Sequence, residues 1–293
     1  MRCSKKNIGI LNLIFIIIIL FSWISVFYIH GVIGAVMWFL LKLVFPIIGL
    51  IGVMVFTVIA IVFAIRKKQI RKYLLSIVMC LVLLFPILIT MNVVPVAYPI
   101  DIKKTGPTLT VVSPFKEDSI VGFGGDTIKN NMPHAMWASE RWAYDIVMNP
   151  YNDGSSKLSD YGIWDKEVYS PVAGTIVAAY DKEDDIKPNT EDFKSMEGNH
   201  VYIKVKKTGT FILLNHLKKN SVKVKVGQEV KVSDFLGKVG NSGSTSEPHL
   251  HIHHQRQNPV EIIYPLFAEG LPLYFEDNNQ STMLVKGDTL RAK

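Results

Sequence analysis

The first 99 residues contain no aspartate or glutamate, yet they carry nine lysines and arginines. A stretch this apolar cannot cover a soluble globule, because too few charged side chains are left to wet its surface. Three runs within it, roughly Ile8 to Ile29, Leu43 to Ile65 and Tyr73 to Ala97, each reach the ~20 helical residues that cross a hydrocarbon core of ~30 Å. Gly31 to Lys42 is apolar as well. Gly31 to Ile65 is nevertheless too short for two spans and a turn, so three membrane helices are expected over residues 1–97. A cleaved signal peptide is the competing reading of the first run. No small-residue cleavage site follows "FSWISVFYIH", however, and two more runs do.

The basic residues set an orientation. Arg2, Lys5 and Lys6 precede the first run, and Arg66, Lys67, Lys68, Arg71 and Lys72 separate the second from the third. Positive flanks stay in the cytoplasm. Three spans then place everything after Ala97 outside a cell membrane, with the N-terminus cytoplasmic. Apart from those flanking clusters, Lys42 at the end of a run is the one charged residue near a span, which leaves an ion or proton path nothing to run on. The runs therefore read as an anchor in the lipid bilayer rather than a transporter.

All 25 acidic residues follow Pro99, against 23 of the 32 basic ones, so the net charge of +7 splits into +9 and −2. The excess positive charge belongs to the anchor, and "RKKQIRK" is a topology signal. This argues against nucleic-acid binding by the rest of the chain. Cys3 and Cys80 both precede Pro99, so the remainder has neither a disulfide framework nor a thiolate metal site.

After a short linker, residues 98–107, the pattern changes to short alternating strands punctuated by Gly, Pro, Asn and Asp. "HVYIKV", "FILLNHL" and "HLHIHH" alternate, and "KKTGT" between the first two reads as a turn. "EVYSPVAGTIVAAYD" and "VKVKVGQEVKVSDFLGKVG" read as strand–turn–strand units. One short helix is expected near Glu191 to Met196. The fold class is a helical membrane anchor followed by an all-β, mainly antiparallel domain over 108–275, with 276–293 as a C-terminal extension.

Six of the eight histidines concentrate the chemistry: His134, His216, His249, His251, His253 and His254. On a strand, His249, His251 and His253 share a face. Three imidazoles in a row make a poor apolar face and repel one another when protonated. A metal, which takes the neutral ring, resolves both problems, and a solvent-facing histidine run is the plain alternative.

"VGNSGSTSEPHLHIHHQ", preceded by "LLNHL", resembles the lysostaphin-like (LytM-type) zinc metallopeptidases, peptidoglycan endopeptidases with a duplicated-hairpin β domain. In that family a Gly-Asn-Ser-Gly turn leads into Pro-His-Leu-His, and an upstream His-Leu closes a neighbouring strand. The resemblance implies Zn²⁺ as cofactor, with His251 and Asp145 of "RWAYD" as ligands. It makes His216 and His249 the catalytic pair and a peptidoglycan or other wall peptide the substrate.

The chain departs from the family at Arg141, which stands where a ligating histidine usually precedes the Asp by four residues. A guanidinium has no lone pair to give. His134 is the candidate replacement, since a family subgroup carries a Gly-Gly and an Asn- and His-bearing element before an RxAxD strand, and "VGFGGDTIKNNMPH…RWAYD" fits it. His253 is the fallback. The alternative function is a catalytically inactive LytM-like domain that binds wall or regulates another hydrolase. His200 reads as a surface or edge residue, and Trp137, Trp142 and Trp164 as buried packing, with stacking on glycan or peptide as the alternative. "SPVAGTIV" and "VKVGQEV" also occur in biotinyl and lipoyl carriers, but the equivalent turn "SMEGNH" lacks the lysine those modules modify.

Overall fold

A computed structural model describes residues 2–98 and 101–292, with the backbone alone for residues 2–7. Pro99 and Ile100 of the expected linker, and the side chains of Arg2, Lys5 and Lys6, lie outside the described residues. The chain divides into two compact units, Met1–Ile100 and Asp101–Lys293.

The first unit is helical: α1 (Arg2–Ile24), α2 (Gly31–Phe39), α3 (Phe45–Ile65), α4 (Arg71–Leu84) and α5 (Ile87–Thr90). With the π turns at Ser25–Ile29 and Leu40–Val44, these make three runs long and apolar enough to cross a membrane: Ile8–Ile29, Gly31–Ile65 and Arg71–Thr90. Three bounds differ from those read in the sequence, the start of the third by only two residues, at Arg71 rather than Tyr73. The second run starts at Gly31 rather than Leu43, because the π turn at Leu40–Val44 carries α2 into α3, where Pro46 falls in the first turn and needs no N–H bond. The third stops at Thr90 rather than Ala97. Asn92 adopts a left-handed φ of 56°, and Pro95 has no N–H to continue the ladder. Helices α3 and α4 approach closely, since a Cβ at Gly49 would lie 2.6 Å from the Cys80 carbonyl oxygen. Ser76 ties α4 to α1 by donating to Asn12 Oδ1 over 2.9 Å.

The second unit is built on strands β1 (Leu109–Val111), β2 (Ser119–Phe123), β3 (Tyr144–Val147), β4 (Glu167–Tyr169), β5 (Gly174–Tyr180), β6 (Asn199–Val205) and β7 (Phe211–Leu217). They are followed by β8 (Glu229–Val230), β9 (Phe235–Lys238), β10 (Leu250–Gln255), β11 (Leu273–Asp277), β12 (Gln280–Thr282) and β13 (Thr289–Leu290). Helix α6 (Ile128–Ala135) lies between β2 and β3. Eight strands form one sheet in the order β13-β2-β3-β10-β7-β6-β5-β8, antiparallel at every pairing. The parallel exception is β1 against β11 in a smaller sheet.

Alternation explains which face is wet. Ile146, Ile252, Leu214 and Val201, on neighbouring strands, bury one face in the main core. The intervening residues Asp145, His251 and Asn215 must then point the other way. Several local expectations change. Glu191–Met196 is not helical, because Ser195 is held in a loop by donating to Glu183 and accepting from Gly198 N–H. Strands β4 and β5 do not pair with each other: β4 pairs with β9, and β5 with β6 and β8. Alternation sets the face of a strand and leaves its partner open. Residues 276–292 are packed into the domain, since β13 extends the large sheet and Leu284 and Leu290 join the core.

Candidate metal centre

Strands β3, β10 and β7 are adjacent, with Asp145, His251 and Asn215 in register across them. Directly opposed residues share a face, which brings His251 Nδ1 to 3.0 Å from Asp145 Oδ1. His134 arrives from α6 and sets its Nε2 3.4 Å from the same oxygen. The three ligand atoms of His134, Asp145 and His251 lie within 4.8 Å of one another.

The local chain explains the approach of His134. Asn131 breaks α6 with φ −140° and ψ 43°, and Pro133 follows. Fully buried, Asn131 spends its amide nitrogen on the carbonyls of Gly125 and Ala143, at 3.2 and 3.0 Å. Its oxygen is thereby left to accept from His134 Nδ1–H over 2.8 Å, so the neutral ring aims an Nε2 lone pair at Asp145. The sequence reading gave Asn131 no role of its own. Its signal was the polar residue three positions before the histidine.

His216 should face the core by alternation from Asn215. A bulge prevents this: Asn215 and His216 of β7 together oppose one residue of β6, and His216 takes φ 62°. Bulges re-aim side chains in this way, and a left-handed non-glycine backbone persists only where its surroundings hold it. The turned ring donates Nδ1–H to the Ser242 carbonyl at 2.8 Å and packs edge-on against His249, with centroids 4.8 Å apart. His249 donates its own Nδ1–H to the Glu247 carbonyl at 2.8 Å, leaving Nε2 3.4 Å from Asp145 Oδ1.

The Gly-Asn-Ser-Gly turn has a structural task here. Gly243 has φ 83°, and a Cβ on it would lie 2.5 Å from the backbone nitrogen of Gly198. That close approach sets Ser242, whose hydroxyl accepts from Asn199 N–H at 2.9 Å and donates to the Leu217 carbonyl at 2.7 Å.

The electrostatics suit a cation. Burial alone would raise the Asp145 carboxyl, but the imidazoles around it, His134 and His249 foremost, hold it well below the usual carboxylate range. Burial lowers His134 and pushes His216 well below its ordinary value, which keeps both rings neutral. Burial opposes a proton on His249 too, but the Asp145 carboxylate outweighs it and raises that ring. A neutral His134 and an ionised Asp145 aim lone pairs at each other inside a buried site. This donor set, two imidazoles and a carboxylate, is one that zinc takes.

Arg141 is buried and points its guanidinium at Asp126, its Nη2 donating over 2.6 Å to the carbonyl and 2.8 Å to the carboxylate. Burial pulls it down to about 10 against the pull of Asp126. Trp142 is also buried and donates to Asp126 over 2.7 Å, so this pair packs rather than binds. His253 lies outside the three-residue cluster, hydrogen-bonded to His251 Nε2 at 2.9 Å. His254 faces elsewhere, between Thr210 and the Pro272 carbonyl. His200 stacks on Tyr202 with centroids 4.3 Å apart, and Trp164 donates to Asp185.

Residues 160–262 match the family model of peptidase family M23. Over that stretch the chain is similar to peptidase family M23. The matched span includes His216, His249 and His251, whereas His134 and Asp145 precede it. Among solved structures similar to this chain is the antimicrobial peptidase lysostaphin from Staphylococcus simulans, at 17% identity. That match covers 55% of this chain and 51% of that one, with a TM-score of 0.33. The M23 metalloprotease pseudoalterin from the deep sea matches at 14% identity over 62% of this chain and 98% of its own, with a TM-score of 0.36. A zinc-containing peptidase from Vibrio cholerae matches at 16% identity, covering 49% and 36%, with a TM-score of 0.31. The chain spans about half or less of the length of the first solved structures it matches. No curated protein matches its sequence.

Proposed function

We propose that this chain is a membrane-anchored zinc metalloendopeptidase that hydrolyses peptide bonds of peptidoglycan outside the cytoplasmic membrane. Residues 1–97 are the three-span anchor, 98–107 the tether and 108–275 the peptidase domain, with 276–293 completing it. The observation that carries the reading is the convergence of His134 Nε2, Asp145 Oδ1 and His251 Nδ1 within 4.8 Å, on an M23-like domain. Three protein donors rather than four is the arrangement of a catalytic zinc. The wall substrate rests on the likeness of the Gly-Asn-Ser-Gly and Pro-His-Leu-His segments to LytM-type enzymes.

His134, Asp145 and His251 would hold the metal through those three atoms. When bound, zinc supplies Lewis acidity, bringing the pKa of water towards ~7 and polarising the scissile carbonyl. His249, held by its Nδ1–H on Glu247, takes a proton at Nε2 from the attacking water and returns it to the leaving amine. His216 completes the catalytic pair: with its Nδ1–H committed to Ser242 and its ring kept neutral by burial, its Nε2 offers a lone pair that accepts from the attacking water and orients it.

The competing reading, an inactive LytM-like domain that binds wall, rests on Arg141 at the usual ligand position. One experiment separates the two. Purified full chain is assayed for zinc content and for release of soluble fragments from peptidoglycan, beside His134→Ala and Arg141→Gln. About one zinc per chain, lost in His134→Ala and kept in Arg141→Gln, with lysis following the metal, supports the peptidase. A wild-type chain that holds zinc without cleaving wall leaves the binding role.

A further inference from the structure

We infer that His253 and Gln255 form a buried hydrogen-bond chain of fixed direction that sets the tautomer of His251, making them positioning residues for the metal centre. This rests on the zinc reading above and concerns how the ligand is held. Residues 251, 253 and 255 alternate onto one face of β10, spaced so that each side chain can reach the next. His251 Nε2 lies 2.9 Å from His253 Nδ1, and His253 Nε2 lies 3.1 Å from Gln255 Oε1. Gln255 Nε2 ends the chain 2.8 Å from the backbone carbonyl of Gln257.

The direction follows from the last link. A carbonyl only accepts, so the Gln255 amide nitrogen must be the donor there, and its oxygen must face His253. His253 Nε2 then carries the proton, and the neutral ring offers Nδ1 as an acceptor. That acceptor requires the proton of His251 to sit on Nε2. Nδ1 of His251 is thereby left as a lone pair, 3.0 Å from Asp145 Oδ1, on the side where the ligand atoms converge. His253 is 4% exposed and Gln255 2%, so water has little access to replace either partner. Reversing any one link within the chain would set two protons or two lone pairs against each other in a buried place, whereas the lone pair at its inner end faces ionised Asp145, a meeting that a bound cation resolves. Asn131 does the same for His134 from the other side of the centre.

The test measures zinc affinity of the full chain by competition with a chelator, and the d–d absorption spectrum after loading with Co²⁺. His253→Leu removes the acceptor for His251, whereas His253→Gln offers an oxygen to His251 and an N–H to Gln255. Zinc affinity is expected to fall about 10- to 100-fold in His253→Leu, with an altered Co²⁺ spectrum. Both readouts should return towards wild type in His253→Gln. Gln255→Met and Gln255→Glu form a second pair, because the carboxylate still accepts from His253 and the thioether does so only weakly. Gln255→Met is expected to weaken zinc and Gln255→Glu to keep it, a comparison that decides the matter if His253→Leu does not fold. Wild-type affinity and spectrum in His253→Leu would overturn the inference. Equal losses in His253→Leu and His253→Gln would as well, since packing rather than direction would then be at stake. A wild-type chain that takes up no zinc removes the metal centre itself and this inference with it.

Discussion

His254 tests how burial separates a structural histidine from the ligating ones in the same run. It is 1% exposed, with Nδ1 donating to the Pro272 carbonyl at 3.2 Å and Nε2 accepting from Thr210 at 2.6 Å. Burial lowers its pKa from 6.5 to about 4, against the pull of the Pro272 carbonyl and with help from Arg256. The unfolded chain therefore binds this proton first as the solution is acidified. The stability His254 contributes is present above pH ~6.5 and is lost as pH falls from there through about 4. At ~1.36 kcal/mol per unit, the full loss is about 3 kcal/mol, of which about 2 kcal/mol has gone by pH ~5. His254→Gln stays neutral throughout and keeps both a donor and an acceptor. Residues 101–293 contain their own core, so urea unfolding of this unit, with chelator present and tryptophan fluorescence as the probe, gives the stability at pH ~7.5 and ~5. Between those pH values the variant should lose about 2 kcal/mol less than wild type. Equal losses would refute the argument, because the His254 ring would then not be held neutral by the fold.

Gly243→Ala should destabilise the outer unit by about 1–3 kcal/mol in the same unfolding assay, since its φ of 83° and the approach to Gly198 leave no room for a Cβ. Wild-type stability in that variant would show that the turn is not held by this contact. His249→Ala should keep its zinc while turnover of peptidoglycan falls about 10²- to 10⁴-fold. Loss of zinc in His249→Ala, measured by elemental analysis, would make His249 a ligand rather than a proton carrier.

Much of the fold was legible because it depends on local periodicity. Apolar runs announced three membrane-length helices, and alternation announced the strands of the histidine-bearing sheet. Where the bounds of the apolar runs differ, local geometry decides: Asn92 and Pro95 end the third run early, and the π turn at Leu40–Val44 carries the second back to Gly31. Helix α6 was missed because eight residues with a proline and two asparagines carry little periodic signal. The site was legible in kind, through His-Leu-His and the Gly-Asn-Ser-Gly turn. The sequence left His134 and His253 both open beside Asp145. Only geometry groups the former with Asp145 and His251, while Arg141 turns to Asp126.

By itself the sequence determined that the chain has two chemically distinct parts. It also determined which residues of each strand share a face, since side-chain direction repeats every second residue whatever the strand pairs with. Tertiary structure decided which faces meet. Asp145 and His251 are 106 positions apart and touch because β3 pairs with β10. His216 reaches the centre because a bulge against β6 turns its backbone left-handed. Pairing and bulging are settled by contacts between distant segments, and no window of neighbouring residues contains them.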